Sequence, residues 1–256
     1  MNRRKSGSAV RRISRSATPA HPSFNENIHK ISVVNVKERV VCLVSGGIDS
    51  PVACLLAGTE FDVVPLHFCL YPYTSKENFF TTMNVFKSLK RKMEFEKIVI
   101  YPWEKILGKI LSDEKYKNYA CLACRKSMLL AAERICEREG ASGIVTGESL
   151  GQKATQTLQN LTALSHGIKF PVLRPLLGLD KLEIERFSRD MGVWHEPHAG
   201  DCHAVPKYPR TKANPATISA ITEKLDISPL ISEELEKVLE VRNFEEDFEE
   251  YLRELA

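Results

Sequence analysis

Two groups of residues in this 256-residue chain have the types and spacing to do chemistry. The first is Ser45-Gly46-Gly47-Ile48-Asp49-Ser50-Pro51, which follows the apolar run VVCLV and leads into PVACLLAG. Two glycines let the backbone turn tightly and approach a ligand. Pro51 suits the first turn of a helix, where its missing N–H costs nothing. The open N–H groups of such a turn, with the helix dipole behind them, make an anion site, to which the Ser45 and Ser50 hydroxyls add donors. The plainer alternative is a Gly-Gly turn whose Asp and Ser cap a helix. The Gly-Lys-Ser/Thr ending of another common phosphate loop is absent.

The second group is Cys121-Leu122-Ala123-Cys124 together with the distant Cys202. Two thiolates separated by two residues can share one metal or cluster. Spacing alone leaves three chemistries open. One is zinc, with His198 or His203 as a further ligand; another is a persulfide on Cys202 resolved by the pair; the third is an iron–sulfur cluster. Cys42, Cys54, Cys69 and Cys136 stand beside apolar residues and read as core. His195, His198 and His203 read as solvated loop residues. Seven cysteines are an odd number. There is no apolar run near the ~18 residues of a membrane span and no signal-peptide core at the start. A cytoplasmic protein using thiol or metal chemistry is therefore expected, not a disulfide framework.

The elements that must position these groups alternate. Val40–Val44, Asp62–Phe68, Lys97–Tyr101, Ser142–Thr146 and Lys169–Leu173 read as short buried strands. Phe79, Met83, Phe86, Leu89 and Met93 recur at helical spacing, and 128–138 and 182–191 behave alike. The cysteine pair is expected in a loop between two helical patterns. Strand–helix alternation implies an α/β, Rossmann-like parallel sheet with helices on both faces, whose ligands lie beyond the carboxyl ends of the strands. Residues 193–215, with four Pro and three His, read as a long irregular loop, and loops of that length are usually functional or disordered.

The expected organisation is a disordered basic tail (1–30), a catalytic domain (31–215) and an acidic helical extension (216–256). The tail holds seven bases and one acid, and residues 226–256 hold eleven acids and three bases. The centre is thus moderately basic, compatible with a phosphate ligand or RNA. The tail can contact RNA phosphates, act as a transit peptide or be merely solvated. With 43% hydrophobic and 27% charged residues, wholesale disorder is excluded.

Ser-Gly-Gly-x-Asp-Ser resembles the PP-loop of the ATP pyrophosphatases, the adenine nucleotide alpha hydrolase-like fold. That resemblance makes ATP the expected ligand and Asp49 the expected partner of magnesium (Mg2+) on its pyrophosphate. Further segments narrow it: Val145-Thr146-Gly147-Glu148-Ser149-Leu150-Gly151-Gln152, then Ala154-Thr155-Gln156-Thr157-Leu158, Leu173-Arg174-Pro175-Leu176 and Asp180-Lys181. In physical terms, Thr146-Gly147 ends a strand where the backbone can reach a nucleotide. Gln152, Thr155, Gln156 and Gln159 read as opening a helix beside it. Arg174 can hold a phosphate in a bidentate fork, or form a structural ion pair.

With the PP-loop, these motifs make residues 35–215 similar to the catalytic domain of ThiI-type tRNA 4-thiouridine synthetases. The resemblance implies a tRNA-modifying, ATP-binding sulfurtransferase. Its nucleotide site is Ser45, Gly46, Gly47, Asp49, Ser50, His67, Phe68, Thr146, Gly147, Gln156 and Arg174, with Arg125 or Lys126 near the α-phosphate. In the archaeal type a CxxC and one distant cysteine ligate an iron–sulfur cluster, and Cys121, Cys124 and Cys202 match those positions as ligands of a 4Fe–4S cluster. With Asp49 they are the implied catalytic residues. That family carries an N-terminal THUMP-containing RNA-binding region where only a basic tail stands here. A separate THUMP-type partner, or the tail and basic centre, is then expected to bind tRNA. Sulfide or a sulfur-donor protein and a second copy of the chain are the other expected partners. The competing functions are the same chemistry on a small molecule or free nucleobase, ATP-independent desulfuration, and a non-catalytic nucleotide-responsive RNA-binding adaptor.

Overall fold

The computed structural model describes residues 37–153, 155–196, 202–244 and 248–254. The basic tail and His198 lie outside the described residues. Five apolar runs form β1 (Arg39–Leu43), β2 (Asp62–Cys69), β3 (Ile98–Pro102), β4 (Gly143–Val145) and β5 (Val172–Leu173). Each pairs in parallel with its neighbours, and a short antiparallel β6 (Leu239–Val241) completes a six-stranded sheet of order β5-β4-β1-β2-β3-β6.

Side chains alternate across the sheet, as a two-residue period requires. Val41, Val64, Leu66, Phe68, Val99, Tyr101 and Ile144 enter one core. Helices α3 (Glu104–Leu111), α4 (Ala120–Glu139), α5 (Leu158–Ser165), α7 (Pro215–Lys224) and α8 (Ile227–Leu235) cover that face. Val40, Cys42, Val63, Ile98, Ile100 and Val145 enter the other core, under α1 (Asp49–Glu60), α2 (Lys76–Lys90), α6 (Lys181–Asp190) and α9 (Phe248–Glu254). The expected doubly covered sheet is thus observed. Cys42, Cys54, Cys69 and Cys136 are buried, as core residues should be.

Three local readings change. The cysteine pair does not stand in a loop: it occupies the first turn of α4, which begins at Ala120 and runs 20 residues. The buried side of that stretch sets Leu122 and Leu129 among the small residues Ala120, Ala123, Ser127 and Ala131, so its large apolar side chains are few and widely spaced. The polar series Gln152, Thr155 and Gln156 lies in a loop of turns and bends, closed by the Gln156 N–H donating to the Lys153 carbonyl; the helix starts only after Thr157, whose hydroxyl caps it by accepting the Asn160 N–H. Finally, 216–256 is not purely helical. β6 pairs with β3, and the Tyr101 hydroxyl donates to the Ile231 carbonyl of α8 at 2.5 Å.

The chain visits β1, β2 and β3 in one direction and then crosses to β4 on the other side of β1. That reversal opens a crevice at the carboxyl ends of β1 and β4, where ligands of such sheets bind. The glycine-rich loop after β1 and the Thr146-Gly147-Glu148 loop after β4 both end there.

Candidate active site

The Ser45–Ser50 loop holds its shape by its own serines. The Ser45 N–H donates to Ser50 Oγ at 2.9 Å, and the two hydroxyl oxygens lie 3.1 Å apart. Ser50 is buried and Ser45 exposed, so Ser50 shapes the loop while Ser45 faces the crevice. No side chain caps α1 at Ile48, and Pro51 has no N–H to satisfy. The first-turn amides are therefore available to an anion. Asp49 Oδ1 lies 3.0 Å from Lys181 Nζ, which brings a cation from the first turn of α6 to the loop. Lys181 belongs to the Asp180-Lys181 motif, but its role is visible only once α6 is folded against α1.

Two histidines hold the same loop by its carbonyls. His67 Nδ1 lies 3.1 Å from the Val44 oxygen, and burial lowers its pKa to about 4 against that bond, which raises it. The neutral ring therefore donates Nδ1–H. His67 packs against Phe79 and Phe86, and Phe68 against Trp103 from the opposite core. Both rings are buried. His195, read from the sequence as a solvated loop residue, instead places Nε2 2.8 Å from the Gly46 carbonyl.

Gly147 lies directly on this loop. A Cβ there would come within 2.6 Å of the backbone N and Cα of Ser50 and 2.9 Å of the Asp49 carbonyl carbon. No side chain other than hydrogen fits. The next residue, Glu148, is buried and binds two guanidinium groups: Arg125 Nη2 at 2.5 Å and Arg174 Nε at 2.6 Å. Thr146 Oγ1 adds a 3.1 Å bond. Burial alone would raise the Glu148 carboxyl, but Arg125 and Arg174 outweigh it and hold it below the ordinary range. Glu148 therefore stays ionised as the buried anion shared by two arginines.

The two arginines differ. Arg174 also donates to Ser165 Oγ at 2.9 Å and is only 12% exposed, so its guanidinium is committed to the protein. Arg125 also donates to Thr155 Oγ1 at 3.1 Å and keeps 30% of its side chain exposed, which leaves it the more accessible of the two. Lys126, the other base after Cys124, is buried and donates to the carbonyls of Leu164 and His166 at 3.1 and 2.5 Å. It anchors the end of α5. Around the triad, Ser149 Oγ, Gln152 Nε2 and Gln156 Oε1 are buried without a partner among the described residues, the signature of a site that a ligand completes.

Cys121 and Cys124, three residues apart on α4, share one helix side, immediately before Arg125. Cys202 arrives on the loop after α6. Burial raises the Cys121 thiol, and proximity of Cys202 adds to the rise against Arg125 and Lys153. Burial pushes Cys124 up to about 12, opposed by the Trp103 N–H 3.2 Å from its sulfur and reinforced by Cys202 and Cys121. The three thiols thus lie within electrostatic reach of one another. Among the described residues no group of three or more His, Cys, Asp or Glu is arranged to hold a metal ion.

A family model described as thiamine biosynthesis protein (ThiI) matches residues 35–227. The chain belongs to the ThiI family. Among its relatives, a probable tRNA sulfurtransferase of Methanobrevibacter smithii is 42% identical over 183 residues, covering 69% of this chain and 47% of that protein. One of Methanocaldococcus jannaschii is 34% identical over 195 residues, covering 74% and 50%. The chain spans about half the length of the curated relatives it matches. The crystal structure of a 4-thiouridine synthetase–RNA complex with bound ATP is similar with a TM-score of 0.69 at 29% identity, covering 80% of this chain and 55% of that one. Among the described residues, no helix is long and apolar enough to cross a membrane.

Proposed function

We propose that this ThiI-family chain uses ATP to activate a carbonyl oxygen of uridine in tRNA and replaces it with sulfur, forming 4-thiouridine. The observation that carries this reading is a continuous run of contacts. The phosphate loop touches Gly147, its neighbour Glu148 holds Arg125, and Arg125 follows Cys124 in α4. That run of contacts supports reading the loop amides and the thiols as parts of one site.

ATP would lie with its phosphates on the α1 amides and Ser45, and Asp49 would hold magnesium on the departing pyrophosphate. Lys181 and Arg125 supply positive charge for the phosphoryl transfer. The uridine O4 attacks the α-phosphorus, the bond to pyrophosphate breaks, and C4 gains an adenylate leaving group. Sulfide then adds to C4, and AMP leaves with the original oxygen.

Three thiols from two segments match the donor set of an iron–sulfur cluster better than a harder oxygen-ligated ion. Cys121, Cys124 and Cys202 would hold it, and when bound it would present sulfur to the activated carbon. The protein's own part is to bury Cys124 beside Trp103 and keep water from the activated carbon.

Anaerobic incubation with ATP, sulfide and tRNA, followed by nucleoside mass spectrometry, tests this reading. The expected result is 4-thiouridine with AMP and pyrophosphate in equal amounts. ATP-independent turnover, or thiolation of a free base but not of tRNA, would overturn it.

A further inference from the structure

The loop after Cys202 has an architecture that the reaction above does not use. Its backbone is held from inside. The buried Asn160 side chain donates to the Arg210 carbonyl at 3.1 Å and accepts the Ala213 N–H at 2.9 Å. Thr157 Oγ1 donates to the Thr211 carbonyl at 2.8 Å, and the Arg210 N–H donates to the Asn118 carbonyl at 3.1 Å. Pro206 and Ala213 are buried. A segment with no regular secondary structure is therefore fixed by four hydrogen bonds and two buried residues.

What it fixes is a row of exposed side chains: Lys207, Tyr208, Arg210 and Lys212. Tyr208 is 68% exposed, an unusual position for a ring with a large apolar face. The Lys207 ammonium stands 5.4 Å from its centroid, and the Arg210 guanidinium lies 5.3 Å from the Tyr119 ring. None of these three cations pairs with a carboxylate among the described residues. The adjoining 3-10 turn, Glu114–Tyr119, adds the exposed Lys115 and leads directly into the cysteine turn of α4. A solvated surface loop needs neither the internal anchoring nor an unshielded ring. Unpaired cations interleaved with aromatic faces suit a polyanion that carries its own flat groups, which is the chemistry of unstacked RNA.

We propose that the Lys207–Lys212 loop, with the Glu114–Tyr119 turn beside it, is the surface on which RNA docks. Its phosphates meet Lys207, Arg210 and Lys212, and an unpaired base stacks on Tyr208. The loop starts five residues after Cys202 and touches Asn118, three residues before Cys121, so RNA held there is delivered beside the thiols. This inference rests on the tRNA reading above and names where that substrate is gripped.

The test is tRNA binding by the full chain across a salt series, comparing wild type with Lys207→Gln/Lys212→Gln and with Tyr208→Ala. All three substituted side chains are exposed, so circular dichroism and ATP binding should be unchanged. The double variant should lower the slope of log affinity against log salt by about 1.5, and Tyr208→Ala should weaken binding about tenfold. Binding and slope equal to wild type, with tRNA still thiolated, would overturn the surface and leave the proposed function standing. A wild-type chain that neither binds nor thiolates tRNA would sink the proposed function and the surface with it. Polyglutamate displacing tRNA at equal charge would also overturn it, because it would show attraction without base recognition.

Discussion

The two edges of the sheet carry charge to opposite ends. At the amino edge, Arg39 pairs with Asp62, and Lys97 lies between Glu139 and Glu240 at 3.0 and 2.8 Å. Arg138 and Arg242 complete that network on Glu240. The Glu240 carboxyl is held down to about 2, chiefly by Lys97. Each of these charges has a partner, and the network ties the C-terminal strand to β3 and the end of α4. At the carboxyl edge the glycine-rich loop leaves its helix without a side-chain cap, and three polar side-chain atoms in the loop after β4 are buried without partners among the described residues. A satisfied network stabilises; an unsatisfied one in a crevice awaits a ligand. Ion pairs alone do not mark the site. Incomplete pairing gathered in one loop does; the lone Ser188 hydroxyl, buried in α6 without a partner among the described residues, does not.

Substitutions should separate the edges. The largest effect is expected from Gly147→Ala, whose methyl group would overlap the Ser50 backbone. AMP formation should fall at least about 100-fold, as read by nucleotide chromatography. The same change at Gly143, near the amino end of β4, meets its nearest atom only at 3.4 Å and should leave AMP formation within about threefold of wild type. Equal activity of the two variants would break the distinction.

Glu148→Gln should come next. It leaves two partly buried guanidinium groups without their shared, buried anion, at about 3 kcal/mol in urea unfolding, and should slow AMP formation through Arg125 as well. Glu240→Gln, in the more solvated network, should cost about 1 kcal/mol and spare activity. If Glu148→Gln lost stability but kept full activity, the triad would be structural only.

The smallest effect is a pH dependence. Burial holds His67 neutral to about pH 4, while the unfolded chain takes up a proton near pH 6.5. Its contribution is therefore complete above 6.5 and is lost as the pH falls towards 4. Wild type should lose about 2 kcal/mol more than His67→Gln between pH 7 and pH 5, measured by urea unfolding. Parallel losses in the two proteins would contradict this.

Much of this was legible in the sequence, for identifiable reasons. β1 to β4 are buried on both faces and read as apolar runs, and the glycine pair between a strand and a helix announces itself. β6 is three residues in an acidic stretch, too short to outweigh the helical charge pattern around it. The first turn of α4 was hidden because its one large buried apolar residue, Leu122, stands between the small Ala120 and Ala123. Glu148 finds Arg125 and Arg174 at separations of 23 and 26 residues, which no local pattern encodes. His195 likewise reaches Gly46 only because the chain folds back from α6. The Gln series suggested a helix by composition, but Thr157 caps the helix later, after the left-handed Gly151 (φ 76°) has turned the loop.

The central claim, that nucleotide activation and sulfur transfer share one crevice but use different residues, is tested most directly by assaying both half-reactions in two variants. With tRNA and ATP present, Asp49→Ala should yield neither AMP nor 4-thiouridine. The triple variant Cys121→Ala/Cys124→Ala/Cys202→Ala should still release AMP and pyrophosphate yet form no 4-thiouridine. Thiolation at the wild-type rate by either variant would contradict the account.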